Sequence, residues 1–221
     1  MKLKNFEREL KYLIKEGQEL DFKEIADVFY VSGYSMVESR WKKKSEAYYD
    51  DDCLSVIKKG DVIRGSTHFN KDGKYFHFML KKNVSRPQKP YVSKYEFGSD
   101  QFKTIQDFIA ALGFNEIKVR PEPILYAEMT RETAVFEKDG RRLLISYDNV
   151  EYHKDINGVR VCEKMLEVED WTTPYTTIAE KEDFDTHLLT INDVLASKLP
   201  VQLIKSSKPY RGFLLLGEEG F

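Results

Sequence analysis

Near the start of the chain Glu7, Glu9 and Lys11 fall on alternate positions. A strand sends alternate side chains to one face, so two carboxylates and an ammonium would project together. Leu10, Tyr12 and Ile14 then share the other face, as in a strand that packs apolar neighbours on one side and lines something polar on the other. Adjacent carboxylates repel, which raises the cost of ionising both. A bound divalent cation removes that cost, so the pair suits magnesium or manganese. A solvated strand face or a helix would carry the same alternation. A second pair, Glu167 and Glu169, alternates with Leu166 and Val168 far along the chain, where an exposed hairpin strand is the competing explanation. Between the two pairs Arg64, Lys81, Lys94 and Arg131 each sit at strand parity in a short stretch of their own. Carboxylates from both ends and cations from the middle point to a closed sheet with an ionic interior, suited to a polyanion and its metal.

Such an interior needs a chain long enough to surround it. The 221 residues, 41% hydrophobic and 33% charged, fit one domain over 1–221 able to close a barrel. Lys and Arg number 35 against 37 Asp and Glu, a net charge of -2, so a phosphate site must be a local concentration of charge and a general nucleic-acid coat is disfavoured. Cys53 and Cys162 lie far apart with no CxxC spacing, as incidental thiols of a reducing compartment rather than zinc ligands. No apolar run is long enough to span a bilayer, and Lys2, Lys4 and Glu7 interrupt the start, so a cytoplasmic protein with no membrane partner is expected. Monomer and homodimer both fit. The 13 Tyr and 14 Phe lean toward β structure, where aromatic rings pack on a pleated surface.

The punctuation of the chain divides it into strands with few helices. Asp21 can cap a helix with Phe22, Ile25, Val28 and Phe29 on one face, ended by Ser32-Gly33. Glu38 to Lys44 reads as the solvated end of a strand, and Asp50-Asp51-Asp52 as a strand end and turn, since it lacks the Gly and distal Glu of a calcium loop. Asp72-Gly73 marks a hairpin between strands over 62–66 and 75–81, and His77 reads as a satisfied strand residue. A strand over 91–97 puts Lys94 and Glu96 on a common face. Ser99-Asp100 would cap a helix with Phe102, Ile105, Ile109 and Leu112 as its core stripe, stopped by Gly113. Strands over 116–120, 125–136 and 142–147 follow, with Lys138-Asp139-Gly140 and Ile156-Asn157-Gly158 as turns before the strand that ends in Glu169. Leu188, Leu189, Ile191, Val194 and Leu195 form a helical segment with Pro200 beyond it. Strands with one helix near the middle and another near the end do not alternate as βαβ units, so the fold expected is mainly β: an antiparallel barrel with helices outside.

In this order the motifs resemble the CYTH superfamily, the triphosphate tunnel metalloenzymes, over roughly the whole chain from Glu7 to Tyr210. Glu7, Glu9 and Lys11 are similar to the family's ExExK signature, its most specific element. Tyr48-Tyr49-Asp50 and Gly60 to Arg64 resemble its tyrosine-aspartate and arginine strands. Met79-Leu80-Lys81 stands where Thr-x-Lys is usual, and Lys94-Tyr95-Glu96 where Arg-x-Glu is usual. The helix ending at Gly113, then Arg131, Asp148 and Glu167-Val168-Glu169, follow the family's later order, and Lys208-Pro209-Tyr210 resembles its closing segment loosely. Where the family often has a second arginine this chain has Ser66, so one phosphate contact is either missing or supplied by Lys118, Arg120 or Arg142. Lys94 in place of Arg exchanges a fork for a point charge.

The resemblance implies an eight-stranded antiparallel tunnel that binds a triphosphate with Mg2+ or Mn2+, in enzymes that include inorganic, thiamine and RNA 5′-triphosphatases and class IV adenylyl cyclase. It implies Glu7, Glu9, Lys11 and Glu169 as catalytic residues, and Lys11, Arg64, Lys81, Lys94 and Arg131 as phosphate clamps. The metal would be held by Glu7, Glu9 and Glu169, with Glu167 or Asp148 as additions. The expected activity is hydrolysis of the terminal phosphate of tripolyphosphate, a nucleoside or thiamine triphosphate, or an RNA 5′ end. A cyclase making cyclic AMP and a non-catalytic binder of nucleotides or polyphosphate are the alternatives.

Overall fold

A computed structural model describes residues 5–70, 73–85, 88–114, 116–155, 157–171 and 178–217. Nine strands form one sheet: β1 (Asn5–Ile14), β2 (Ser35–Tyr49), β3 (Val62–Asn70), β4 (Gly73–Asn83), β5 (Val92–Ser99), β6 (Leu125–Lys138), β7 (Arg141–His153), β8 (Val161–Asp170) and β9 (Val201–Ile204). Every pairing is antiparallel, and the order β5-β4-β3-β2-β6-β7-β8-β1 closes because Asn5–Glu9 of β1 also pairs with β5. The eight-stranded barrel expected from the sequence is therefore present, and closure leaves its ring without edges. The short β9 was not anticipated; it pairs with Lys11–Ile14, taking over the side of β1 that β5 leaves after Glu9.

Strand parity decides what each residue faces. On β1 the even residues Leu10 and Tyr12 join an outer core with Ile25 and Phe29 of α1 (Phe22–Val31) and Leu188, Ile191 and Leu195 of α4 (Ile178–Lys198). Full burial of each such large apolar side chain contributes roughly 1.5–3 kcal/mol. Arg8, 2% exposed on the same face, donates to Asp170 Oδ2 at 2.9 Å and to Asp185 Oδ1 at 2.8 Å, tying α4 to the barrel wall. A second core lies under α3 (Ile105–Leu112), where Phe108 meets Ile63, Phe78 and Leu80. A third fills one end of the barrel itself: Tyr48, Leu125, Tyr152 and Met165 pack against Phe213 of α5 (Lys208–Leu215). The barrel is thus apolar at that end and ionic above it. A short α2 (Ser55–Lys58) begins where Asp50, fully buried, accepts from the backbone N–H groups of Val56 and Ile57 at 2.9 and 2.8 Å.

Local chemistry explains most element ends. Asp21 and Glu24 form a reciprocal capping box at α1. Asp139 (φ 51°) and Gly140 (φ 76°) both adopt positive φ, as a two-residue turn between twisted strands requires. Two expectations are corrected. The cap of α3 is Thr104, whose hydroxyl accepts from Asp107 N at 3.1 Å, rather than Ser99-Asp100, because β5 runs on through Ser99. The stretch 116–120 is not a strand: Arg120 N donates to Asp50 O at 2.9 Å as an irregular crossing. The tip residues Lys71, Asp72 and Ile156 lie outside the described residues, although Asn70 pairs with Gly73 as the hairpin expects. Among the described residues no helix is long and apolar enough to cross a membrane.

Candidate active site

Inward-facing positions of the closed barrel surround a cavity of about 210 Å³. Glu7, Glu9 and Lys11 enter it from β1, Lys42 and Lys44 from β2, and Arg64 from β3. Lys81 comes from β4, Lys94 and Glu96 from β5, Arg131 from β6, and Glu167 and Glu169 from β8. Ser207 and Lys208, at the start of α5, form its floor together with Tyr48. Register explains the convergence of the two ends of the chain. Glu9 lies directly opposite Glu169 and Lys11 opposite Glu167 on one side of β1, while Glu7 lies opposite Lys94 on the other.

The charges inside are paired into three groups. Arg131 makes a bidentate contact with Asp148, at 2.6 and 2.5 Å, and reaches Glu167 Oε2 at 2.9 Å. Lys208 Nζ bridges the same two carboxylates, at 2.5 Å from Glu167 and 3.1 Å from Asp148. Lys81 Nζ lies 2.5 Å from Glu7 and 2.8 Å from Glu96. Glu46, also buried, takes Lys44, Arg64 Nη1 at 2.6 Å and the Tyr48 hydroxyl at 2.5 Å. Burial favours the neutral form of Glu167, yet Lys208, Lys11 and Arg131 hold its carboxyl well below the usual range. Glu46 is held down in the same way by Arg64 and Lys44 against its burial. Two lysines go the other way. Burial, then the Arg64 guanidinium, pushes Lys44 down to about 7. Burial, then Lys11, pushes Lys94 down to about 8.

The upper acidic group differs from the rest. Burial and the neighbouring Glu7 push Glu169 well above the usual carboxylate range, with Glu9 and Glu96 adding to the repulsion against the opposing pull of Lys81. Glu9 Oε1 lies 2.9 Å from Lys11 Nζ and 3.4 Å from Lys94 Nζ, but neither contact has hydrogen-bond geometry, and this buried oxygen lacks a donor. Among the described residues no three acidic, histidine or cysteine side chains stand in a ready metal-binding arrangement. Glu7, Glu9 and Glu169, three carboxylates gathered in one cavity with the ionisation of Glu169 suppressed by its neighbours, nevertheless have the chemistry that suits a hard divalent cation.

The cavity brings together Glu7, Glu9, Lys11, Arg64, Lys81, Lys94, Arg131, Glu167 and Glu169. Asp148, fully buried, stands behind it on Arg131 and Lys208. The replacements for a second arginine are not those expected. Arg142 pairs with Glu137, Arg120 with Asp52, and Lys118 is exposed, all away from the cavity, because their positions face solvent. Lys42, Lys44 and Lys208 line it instead. The solvated-strand reading of 38–44 therefore fails at two positions: Lys42, although exposed, lines the cavity, and Lys44 is 7% exposed. The alternation of Lys42, Lys44, Glu46 and Tyr48 carried that signal. Met79, in place of the usual Thr, lies with its sulfur 3.4 Å from Arg64 Nη2.

No protein-family model matches the chain, and no curated protein matches its sequence. Solved structures do match its fold. The PH1819 protein from Pyrococcus horikoshii OT3 superposes with a TM-score of 0.54 at 16% identity, over 95% of this chain and 98% of that one. A chain of the Schizosaccharomyces pombe Mediator head module gives 0.50 at 8% identity, over 90% and 100%. A mimivirus capping enzyme triphosphatase gives 0.48 at 12% identity, over 86% and 90%. A shared fold does not fix an activity, so activity has to be argued from the site. The likeness is one of architecture: with the closed eight-stranded barrel it shows that this chain shares the fold of the PH1819 protein over nearly its whole length, and the barrel architecture implied by the sequence resemblance is present.

Proposed function

We propose that the protein is a divalent-metal-dependent triphosphatase that cleaves the terminal phosphoanhydride of a triphosphate held inside the barrel. The observation that carries this reading is the lining: among the described residues, eight Lys and Arg side chains and five glutamates surround one cavity of about 210 Å³. A neutral ligand would gain nothing from such a wall, whereas each phosphate oxygen can take charge-assisted hydrogen bonds from it.

Lys11, Arg64, Lys81, Lys94 and Arg131 clamp the phosphates, and Lys42, Lys44 and Lys208 add to the clamp. Asp148 acts one layer back, and Glu167 acts from the lining itself. By fixing Arg131 and Lys208 they hold the donors in place before substrate arrives, which is how preorganised charge stabilises a phosphoryl-transfer transition state. Glu7, Glu9 and Glu169 would hold Mg2+ or Mn2+. Bound there, the cation would neutralise charge on the transferring phosphoryl group and help orient the attacking water. The apolar plug at the α5 end excludes water and gives the phosphate chain a blind stop. The two cysteines, free and exposed, support a reducing, cytoplasmic setting.

The test is product analysis with tripolyphosphate, ATP and thiamine triphosphate in magnesium or manganese. Orthophosphate release that is lost with chelator and in Glu9→Gln is the expected result. Folded protein that releases none overturns the reading, and cyclic AMP with pyrophosphate from ATP would replace it with the cyclase.

A further inference from the structure

Toward the barrel rim the tunnel wall changes character. A smaller chamber of about 90 Å³ shares Lys42 and Arg131 with the ionic cavity and continues past them to Arg40, Val135, Leu144 and Trp171. Parity explains the continuity. Val135 follows Arg131 on β6, Leu144 precedes Asp148 on β7, and Trp171 follows Glu167 and Glu169 at the end of β8, each two or four residues along the inward face. Trp171 prolongs the ladder by one bond, its N–H donating to Arg142 O at 2.9 Å, so its backbone is held while the residue remains 50% exposed. At the rim Arg40 pairs with Glu38, and the Thr133 hydroxyl donates to Arg40 O at 3.3 Å.

Inorganic tripolyphosphate has no part that benefits from an indole and two aliphatic side chains. A planar ring attached to the triphosphate would: over the exposed face of Trp171, its edge would come toward the guanidinium and carboxylate of Arg40 and Glu38, which line the same chamber. We propose that Trp171, backed by Val135 and Leu144, is the specificity platform of this tunnel, selecting nucleoside triphosphates over inorganic tripolyphosphate. This rests on the reading of the ionic cavity as the triphosphate site.

The experiment is calorimetric titration of the intact chain with β,γ-methylene ATP and with tripolyphosphate, on the wild type, Trp171→Ala and Trp171→Phe. Loss of one base-stacking contact predicts that Trp171→Ala binds the nucleotide about 5- to 150-fold more weakly. Its tripolyphosphate affinity stays within about twofold, and Trp171→Phe recovers most of the nucleotide loss. Equal weakening for both ligands, or an unchanged nucleotide affinity in Trp171→Ala, overturns the platform while leaving the triphosphate site standing. Failure of both ligands to bind the folded wild type overturns the site itself and the platform with it.

Discussion

Lys44 offers a quantitative test of the ionic cavity. The residue is 7% exposed, and burial together with Arg64 and Arg131 opposes its charge, while Glu46 beside it favours it; the balance lies at about 7. At pH 8 the empty protein therefore carries Lys44 about nine-tenths neutral, and at pH 6 about one-tenth neutral. Phosphate oxygens brought beside it favour the charged form, so binding takes up about 0.9 proton at this group at pH 8 and about 0.1 at pH 6. Tripolyphosphate titrations in two buffers of different ionisation enthalpy give the proton uptake, and Lys44→Met isolates the share of this residue. The wild type should exceed the variant by about 0.9 proton at pH 8 and match it closely at pH 6. The same group sets a stability trend with a definite sign. Its folded pKa is lowered, so between about 7 and 10.5 the unfolded chain holds a proton that the folded one has lost, and stability rises with pH by up to about 1.4 kcal/mol per unit. Equal uptake by wild type and Lys44→Met at pH 8 would show that Lys44 does not meet the ligand as a suppressed cation, and the reasoning would fail.

Three further outcomes follow from named contacts. Arg131→Met leaves Asp148 and Glu167 short of their main partner and should cost about 3–5 kcal/mol in urea unfolding; with Asp148→Asn added, the loss should be less than the two single losses combined. Glu169→Gln should raise the melting temperature in chelator at pH 7 while removing any stabilisation by manganese. The reason is that a carboxyl with a raised folded pKa stabilises only at low pH and costs stability once pH forces it to ionise. Gly212→Ala would set a methyl 2.7 Å from Leu125 Cδ2 and 2.8 Å from Tyr152 Cδ1, so it should unseat α5 and cost about 1–3 kcal/mol by thermal unfolding.

Much of this was legible in the sequence because strand parity is a simple code. Glu7, Glu9 and Lys11, then Arg64, Lys81, Lys94, Arg131, Glu167 and Glu169, could be assigned to one face from alternation alone, and the barrel brings them into one cavity. Lys42 and Lys44 were hidden by context. They sit in a run of charges beside Trp41, which reads as solvated surface until the register of β2 against β6 sets Lys42 opposite Arg131. Lys208 was out of reach for another reason: it belongs to a helix start, and only tertiary packing of α5 across the barrel end carries it to Glu167. The cap of α3 was misplaced because Ser99-Asp100 and Thr104 are both good caps, and the extension of β5 decides between them.

The central claim is that acidic groups from the two ends of the chain and cations from its middle hold one triphosphate and its metal. Crystals grown with manganese and tripolyphosphate test it most directly through the anomalous signal. A manganese peak is expected among Glu7, Glu9 and Glu169, with the phosphates against Arg64, Lys81 and Arg131. Manganese and phosphate bound on the outer surface, with the barrel interior unchanged, would contradict it.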